Sequence, residues 1–273
     1  MSTADEDEDD LLAQALADFV SDFNAGILPQ EAQPWFCGAR LIALQKQPTG
    51  VRPIAVGETL RRLAGKCLVR RCQDEVIEKL LPHQMGVGIA NACEIISHAV
   101  RAWAETAAAD ETLILVDFSN AYNSLDRQKM LEAIAEDAPA FLPYANYCYG
   151  AETPLLGKGF TLSSAEGTQQ GDCCGPIFFS VTLNRLLRSC CPQTAEAWNR
   201  WFLDDGSLCG KTCAKDVRRP RPQISGNRAY GQYLKVQAMG ANSLCLHDGS
   251  RDPMVFRGQS SRGTHGPSRI HWR

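Results

Sequence analysis

Three absences limit what this chain of 273 residues can be. It has no stretch of about 18 consecutive apolar residues, so no membrane-spanning helix is predicted. No Lys or Arg precedes Arg40, and six acidic residues stand within the first ten, so the N-terminus lacks the basic start of a secretory signal peptide. We therefore expect an intracellular protein with no membrane partner.

The C-x-x-C spacing that is typical of structural zinc sites is also absent, although the chain has 12 cysteines. Adjacent pairs occur at Cys173-Cys174 and Cys190-Cys191. Twelve cysteines make up under 5% of this chain, a smaller fraction than in small disulfide scaffolds. We interpret them as reduced thiols, and we expect no structural zinc site.

Charge and apolar content divide the chain into three segments. Residues 1–33 are acidic and contain one amphipathic helix, with apolar side chains at helical spacing from Leu11 to Phe23. Residues 34–210 mix strand-like and helix-like stretches, which predicts an α+β fold. Residues 211–273 are basic and rich in Gly and Pro, and only nine of these 63 residues are Leu, Ile, Val or Phe. We expect this tail to be mostly disordered and to pack little against the rest.

Several elements of the middle segment can be predicted from their periodicity and their end signals. Residues 39–45 and 51–56 flank Gln47-Pro48-Thr49-Gly50 and predict a β-hairpin. Helices are predicted over 61–81, 92–109 and 127–137, the last with Ser124 as its candidate N-cap. A short buried strand, TLILVD, ends at Asp117, and another helix begins near Pro176.

The acidic residues in two of these stretches point to a chemistry. Asp117 ends an apolar strand, and Asp204 and Asp205 stand side by side in WFLDDGS, a pattern that suits a hairpin turn. Each pattern alone is more often an ordinary turn. Together, the three carboxylates form a ligand set that can hold two magnesium ions, because hard divalent cations prefer oxygen ligands.

With these motifs in order, the chain resembles the reverse transcriptase domain of a retroelement, most like the non-LTR retrotransposon and group II intron types. VDFSNAYNSLDR resembles the first palm motif, GTQQGDCCGPIFFS the glutamine-glycine motif, and WFLDDG the catalytic hairpin. The stretch from Leu41 to Leu68 resembles the fingers segment with its Arg-Pro-Ile element. The resemblance implies a right-hand polymerase fold with fingers and palm.

The resemblance also implies an activity and its cofactor. An RNA-directed DNA polymerase is a nucleotidyltransferase that adds dNTPs to the 3′-hydroxyl of a DNA primer on an RNA template. Asp117 and Asp204 would be the principal ligands of two Mg²⁺ ions, for which Mn²⁺ can substitute, and Asp205 would add negative charge.

Further residues receive roles from the same resemblance. Tyr122 would be the steric gate against a 2′-hydroxyl; the alternative is a packed core aromatic. Gln170 and Gly171 would form the loop over the nucleotide, and Lys46 and Arg52 would reach the triphosphate. The helix residues that could follow nucleic-acid phosphates are Arg61, Arg62 and Lys66, although an ordinary solvated helix face explains them equally well. Gln84 and Gly86 resemble a template-contacting turn.

Two departures from the family pattern argue against activity. The usual QGDPLGP sequence is replaced here by QGDCCGP, and nothing after Asp205 resembles the remainder of the palm or the thumb. We therefore expect an incomplete fingers-palm core with the thumb missing. Three interpretations stay open. The first is a reverse transcriptase domain that is truncated and of uncertain activity, the second is a non-catalytic nucleic-acid-binding remnant of such an enzyme, and the third is the unstable product of a translated pseudogene.

Overall fold

The computed structural model describes residues 3–47, 50–118, 120–190, 197–211 and 234–240. Helices and strands alternate along the chain, so the predicted α+β class is confirmed. The chain divides into two compact units, each built from two segments. The first comprises Met1–Lys79 and Tyr122–Thr182, and the second comprises Leu80–Ala121 and Leu183–Arg273. These units are defined by which residues pack together, and their boundaries differ from those predicted after residues 33 and 210 from charge and apolar content.

The first unit contains most of the helices and one sheet. Its helices are α1 (Thr3–Ala25), α2 (Gln33–Cys37), α3 (Thr59–Leu80), α5 (Arg127–Asp137), α6 (Leu142–Tyr149) and the start of α7 (Gly175–Cys190). Its strands are β1 (Ala39–Gln45), β2 (Val51–Gly57), β4 (Thr153–Gly157) and β5 (Phe160–Ser164). The second unit contains α4 (Ala92–Thr106), β3 (Thr112–Phe118), β6 (Ala197–Phe202), β7 (Asp205–Gly210) and β8 (Leu234–Gly240).

The sheet of the first unit has the order β2-β1-β4-β5. The predicted hairpin is confirmed, because β1 and β2 pair antiparallel from Ala39 opposite Gly57 to Gln45 opposite Val51. Strands β1 and β4 pair in parallel over two residues, and β4 and β5 form a second hairpin. The sequence prediction did not include β4, β5 or α6.

The acidic N-terminal helix packs within the first unit. Phe23 on α1 is fully buried, and its ring lies 5.6 Å from that of Tyr144 and 5.4 Å from that of Tyr147. Leu11 and Leu12 on the same helix stay exposed. The helix prediction is therefore confirmed, but only the C-terminal end of its apolar stripe enters the core.

Helix α5 begins one residue after its cap, and that cap is not the predicted one. Asp126 accepts a hydrogen bond from the backbone N–H of Lys129 at 3.0 Å, as an N-cap residue does. The prediction of Ser124 is wrong because Ser124 lies in a short 3₁₀ turn, Tyr122–Ser124, that precedes the cap.

The second unit has an antiparallel sheet with the order β6-β7-β3-β8. Side chains along a strand alternate between the two faces of its sheet. On one face, Leu113 and Cys209 pack with Ile96 and Val100 of α4 in a buried cluster. This cluster fixes β3 and β7 side by side and so determines where their last residues lie.

Strand β8 corrects the expectation of a disordered tail over residues 234–240. It pairs with β3 from Leu234 opposite Phe118 to Gly240 opposite Thr112. Strand β3 is thereby paired on both edges, although the tail has few aliphatic residues. The other tail residues that were predicted to be disordered, 212–233 and 241–273, lie outside the described residues.

Two expectations from composition can be compared with the described part of the chain. Every cysteine whose side chain is described is a free thiol, as predicted. Among the helices that the structure describes, none combines the length and the apolar character needed to cross a membrane.

Candidate active site

The three predicted carboxylates come together at one end of the sheet in the second unit. Strands β3 and β7 pair so that Asp117 lies directly opposite Asp205. Strands β6 and β7 form a hairpin in which Phe202 lies opposite Asp205, leaving Leu203 and Asp204 as a two-residue turn. Leu203 has a φ of 55°, and hairpin turns of this length use positive φ at their central residues. Asp204 therefore stands next to the Asp117–Asp205 pair.

The electrostatics of this end of the sheet are unfavourable without a cation. Burial raises the pKa of Asp205, and the negative charges of Asp204 and Asp117 raise it further. Like charges directly opposite each other on two strands destabilise a sheet. The cluster therefore favours binding of a positive charge.

A cleft of about 430 Å³ opens beside these carboxylates within the second unit. Asp117 and Asp205 line one side of it, and Cys93, Ile96 and Ser97 from the first two turns of α4 line the other. The cleft places solvent-accessible space next to two of the carboxylates. A phosphate-sized or sugar-sized group can be accommodated there.

Gly206 follows the two aspartates for a packing reason. It lies in β7, outside the turn, and a Cβ at this position would overlap the ring of Trp201. The Trp201 ring is buried and stacks on Phe118, with centroids 5.9 Å apart. Because Gly206 has no side chain, the Trp201–Phe118 pair can pack over the face of the sheet opposite the carboxylates.

The glutamine-glycine loop lies in the first unit and is anchored on β2. The N–H of Ala55 donates to the carbonyl oxygen of Gln170 at 2.8 Å. Gly171 has a φ of 130°, and a Cβ there would overlap the carbonyl oxygen of Ala55. The loop thus needs glycine both for its backbone conformation and for its close approach to β2.

Arg61 is the first site residue for which the prediction is wrong. Its side chain is 2% exposed, and its guanidinium donates to Asp172 at 2.8 Å, to Gln169 at 2.8 Å and to the carbonyl oxygen of Cys37 at 2.9 Å. All its polar contacts point inward, so it cannot follow nucleic-acid phosphates. It cross-links α3 to the segment before Cys173.

Asp172, which the sequence prediction did not assign, is the partner that keeps Arg61 buried. The hydroxyls of Tyr149 and Tyr144 both donate to its carboxylate. Burial raises the pKa of Tyr149 well above its usual value, and the Asp172 charge raises it further, so this hydroxyl stays a donor. Only the QGD motif itself could have drawn attention to Asp172.

Asp172, Cys173 and Cys174 have ligand atoms within 4.8 Å of one another. The Asp172 carboxylate is already neutralised by Arg61, and each thiol donates to a carbonyl oxygen of α3, Cys173 to Arg62 and Cys174 to Gly65. These contacts make the three groups a structural cross-link between the loop and α3.

The remaining residues predicted for nucleotide and phosphate contacts differ in burial. Lys46 and Arg52 are exposed on the β1–β2 hairpin, and Arg62 and Lys66 are exposed on α3. Tyr122 is half-buried, and its ring stacks on Phe179 with centroids 4.9 Å apart. The first unit also contains Gln170 and Gly171, so it holds every residue predicted to contact the nucleotide.

Gln84 is the second site residue for which the prediction is wrong. Its side chain is 0% exposed, so it cannot contact a template. Its amide instead hydrogen-bonds both backbone polar groups of Leu203 in the aspartate turn. Gly86 lies against the same residue.

Comparison with curated proteins finds retrotransposon relatives. The chain is 27% identical over 209 residues to the retrotransposable element SLACS 132 kDa protein of Trypanosoma brucei gambiense, covering 72% of this chain and 17% of that protein. It is 28% identical over 158 residues to the Pol polyprotein of the type-2 retrotransposable element R2DM of Drosophila melanogaster, covering 53% of this chain and 14% of that protein. The chain thus matches 17% of the first relative's length and 14% of the second's. No model of a protein family matches it.

Solved structures share its fold. Apo telomerase from Candida tropicalis matches with a TM-score of 0.56 at 11% identity, over 75% of this chain and 45% of that chain. The same telomerase in complex with a fragment of telomeric RNA matches with a TM-score of 0.52 at 13% identity, over 81% of this chain and 43% of that chain. At these identities the likeness concerns the fold alone. The ordered motifs and the retrotransposon relatives support a reverse-transcriptase-like domain in this chain, and the solved structures share its fold.

Proposed function

We propose that this chain is an RNA-directed DNA polymerase domain of a retroelement protein, which adds dNTPs to a primer 3′-hydroxyl on an RNA template. The observation that carries the proposal is the register that sets Asp117 opposite Asp205, with Asp204 in the adjoining turn. The three carboxylates thus lie at one end of the sheet, where Asp117 and Asp205 line an open cleft.

The carboxylate cluster fits divalent cations. All three groups offer oxygen donors, which Mg²⁺ prefers over nitrogen or sulfur. Burial raises the pKa of Asp205, the charges of Asp204 and Asp117 raise it further, and a bound cation would relieve this repulsion. Asp117 and Asp204 would hold the ions, and Asp205 would add negative charge. When bound, two Mg²⁺ ions would lower the pKa of the primer 3′-hydroxyl and neutralise charge on the leaving pyrophosphate.

Residues of the first unit would bind and select the nucleotide. Lys46 and Arg52 are exposed cations on one hairpin, so both can reach phosphate oxygens. The Gln170 carbonyl is held by Ala55, which fixes the loop that would lie over the base. Tyr122, with its ring supported by Phe179, would exclude a 2′-hydroxyl by occupying the space that it needs.

A row of cations on α3 is a candidate track for nucleic-acid phosphates. Arg62, Lys66 and Arg70 are all exposed and are spaced four residues apart, so they lie on one face of the helix. Arg70 takes the place that the sequence prediction gave to Arg61. Binding through such a row is electrostatic and weakens as the salt concentration rises.

Primer extension by the full chain tests the proposal. The assay uses a poly(rA) template, an oligo(dT) primer, dTTP and Mg²⁺. The wild type is expected to extend the primer, and Asp204→Asn to reduce the rate by at least about 10²-fold because a metal ligand is lost. Asp10→Asn removes the same charge from the exposed surface of α1 and is expected to leave the rate unchanged.

Two outcomes would contradict the proposal. The first is primer extension that Asp204→Asn does not reduce. The second is a folded wild-type chain that binds the RNA–DNA duplex without extending it, which would favour the non-catalytic nucleic-acid-binding remnant.

A further inference from the structure

The turn that carries Asp204 contains a conformation that leucine rarely adopts. Leu203 has a φ of 55°, and its Cβ makes this left-handed region unfavourable. Such a residue keeps its conformation only when the surrounding structure holds it there. The turn therefore needs an external support, and that support affects the two residues that follow it.

Gln84 supplies this support through both backbone groups of Leu203. Its Nε2 donates to the Leu203 carbonyl oxygen at 2.8 Å, and the Leu203 N–H donates to its Oε1 at 3.2 Å. Because one Leu203 partner is an acceptor and the other a donor, only one orientation of the Gln84 amide fits. The two hydrogen bonds thus form a ring between the Gln84 amide and the backbone of Leu203.

The backbone around Gln84 is itself fixed to the strand that leads into the turn. The N–H of Met85 donates to the carbonyl oxygen of Trp201, and the N–H of Trp201 donates to the carbonyl oxygen of His83, both at 2.8 Å. Gln84 and Trp201 form an isolated parallel bridge. The amide therefore projects from a rigid segment rather than from a loose loop.

Gly86 makes the close approach of this segment to the turn feasible. A Cβ on Gly86 would lie 2.6 Å from the Leu203 backbone nitrogen and 2.8 Å from its Cγ. Any larger residue would push the segment away from the turn. In the Gln-x-Gly pattern at residues 84–86, the glutamine thus hydrogen-bonds the backbone of Leu203 and the glycine leaves room for Leu203 to approach.

We infer that Gln84 is a positioning residue, which holds Leu203 in its left-handed conformation and thereby aims the carboxylates of Asp204 and Asp205. This inference rests on the proposed function, because it assigns Gln84 an effect on catalysis through those carboxylates. Gln84 thus contacts the turn at Leu203 and Asp204, whereas the sequence predicted a contact with the template.

Steady-state kinetics separates positioning from template binding. Gln84→Leu removes both hydrogen bonds at similar side-chain volume and is expected to lower kcat by about 10- to 100-fold, the cost of misplacing a catalytic group by about 1 Å. The KM for dTTP and the Kd for primer–template are expected to change less than about twofold, since Gln84 touches neither. Gln128→Leu, at an exposed position of α5, is the matched control and is expected to leave all three values unchanged.

Hydrogen exchange of the Leu203 amide reports on the contact without any need for activity. In the wild type this amide is bonded to Gln84 Oε1 and should exchange slowly. Gln84→Leu should speed its exchange. Gln84→Glu, which keeps the acceptor but loses the donor, should leave the amide protected while lowering kcat, and it serves if Gln84→Leu does not fold.

The outcomes distinguish the two claims. A wild type that does not extend a primer contradicts the proposed function, and with it any effect of Gln84 on catalysis, whereas protection of the Leu203 amide still tests the contact. Full kcat in Gln84→Leu, weaker primer–template binding with kcat unchanged, or unaltered Leu203 exchange would overturn the positioning role.

Discussion

Burial decides what each basic side chain at the start of α3 can do. Arg61 and Arg62 are neighbours with the same charge, yet Arg61 is enclosed by Asp172, Gln169 and Tyr149, whereas Arg62 is exposed. Removing one partner of a buried ion pair destabilises a fold strongly, because the other charge is left buried and uncompensated. The two arginines therefore serve different purposes one residue apart.

Substitution of the two arginines should separate these purposes. Arg61→Met leaves the Asp172 carboxylate buried and unpaired, so the free energy of unfolding is expected to fall by about 3–5 kcal/mol. Arg62→Met should change it by less than about 0.5 kcal/mol, as is usual for exposed positions. Urea denaturation of both variants measures this difference, and equal losses would refute the assignment of Arg61 to the core.

Tyr122 is the residue on which sugar selection is expected to depend. Tyr122→Ala removes the ring that would exclude a 2′-hydroxyl, so the ratio of ribonucleotide to deoxynucleotide incorporation should rise by roughly tenfold or more. Tyr122→Phe keeps the ring and should retain the wild-type ratio. Single-nucleotide incorporation with rUTP and dTTP gives the ratio; if Tyr122→Ala leaves it unchanged in an active chain, Tyr122 only packs on Phe179.

At the scale of elements, the segment at residues 83–86 supports the turn at Leu203 instead of contacting a template as predicted. Gln84 and His83 are polar side chains that become buried because their backbone pairs with Trp201. The Nδ1 atom of His83 lies 2.7 Å from the side-chain oxygen of Asn199, and in the tautomer with a proton on Nδ1 it donates to that oxygen. A neutral imidazole satisfies this arrangement.

The burial of His83 predicts a dependence of stability on pH. Burial lowers the pKa of His83 below its usual 6.5; the Asn199 hydrogen bond opposes this shift, and Arg200 and Arg188 add to it. The unfolded chain then binds this proton more readily than the folded chain. The free energy of unfolding should therefore fall as the pH drops through about 6.5, and the fall should end below the lowered pKa.

Two histidine variants isolate this contribution. His83→Asn keeps a neutral donor near Asn199 and should flatten the change in melting temperature between about pH 7 and pH 5. His98→Asn, on the exposed surface of α4, is expected to keep the wild-type dependence. An undiminished slope in His83→Asn would show that another group causes the acid sensitivity.

Local sequence signals predicted those elements whose periodicity and turn residues agree. The β1–β2 hairpin, α3, α4 and β3 all follow from such signals, and so does the placement of Asp117, Asp204 and Asp205 at element ends. Burial of Arg61 and Gln84 could not be predicted in this way, because it depends on partners 111 and 119 residues away. Charged and amide side chains are exposed in most proteins, so their burial has no local signature.

At the scale of the whole molecule, the chain builds two units from four segments, and each unit needs the later segment to complete its sheet. Strand β8 shows how a short element can form within a tail whose composition predicts mostly disorder. A strand of seven residues can satisfy the backbone of β3 through main-chain hydrogen bonds, which do not require aliphatic side chains. The mean aliphatic content of the 63 tail residues does not reveal so short an element.

Truncation should reveal the contribution of β8 to the second unit. A chain ending at residue 233 lacks β8 and leaves one edge of β3 unpaired, so amides of residues 112–118 should exchange faster with deuterium. A chain ending at residue 240 retains β8 and should exchange at the wild-type rate. Equal exchange in the two truncated chains would contradict the pairing of β8 with β3.

Metal binding by the full chain tests the central claim, that Asp117, Asp204 and Asp205 form a two-metal site. Mn²⁺ titration followed by electron paramagnetic resonance, with a chain-terminated primer–template and dTTP, should detect two ions broadened by each other at a separation of about 3.5–4 Å. Asp117→Asn and Asp204→Asn should abolish this paired signal, whereas Asp10→Asn should retain it. A paired signal that survives in both ligand variants, or none in the wild type, would contradict the account.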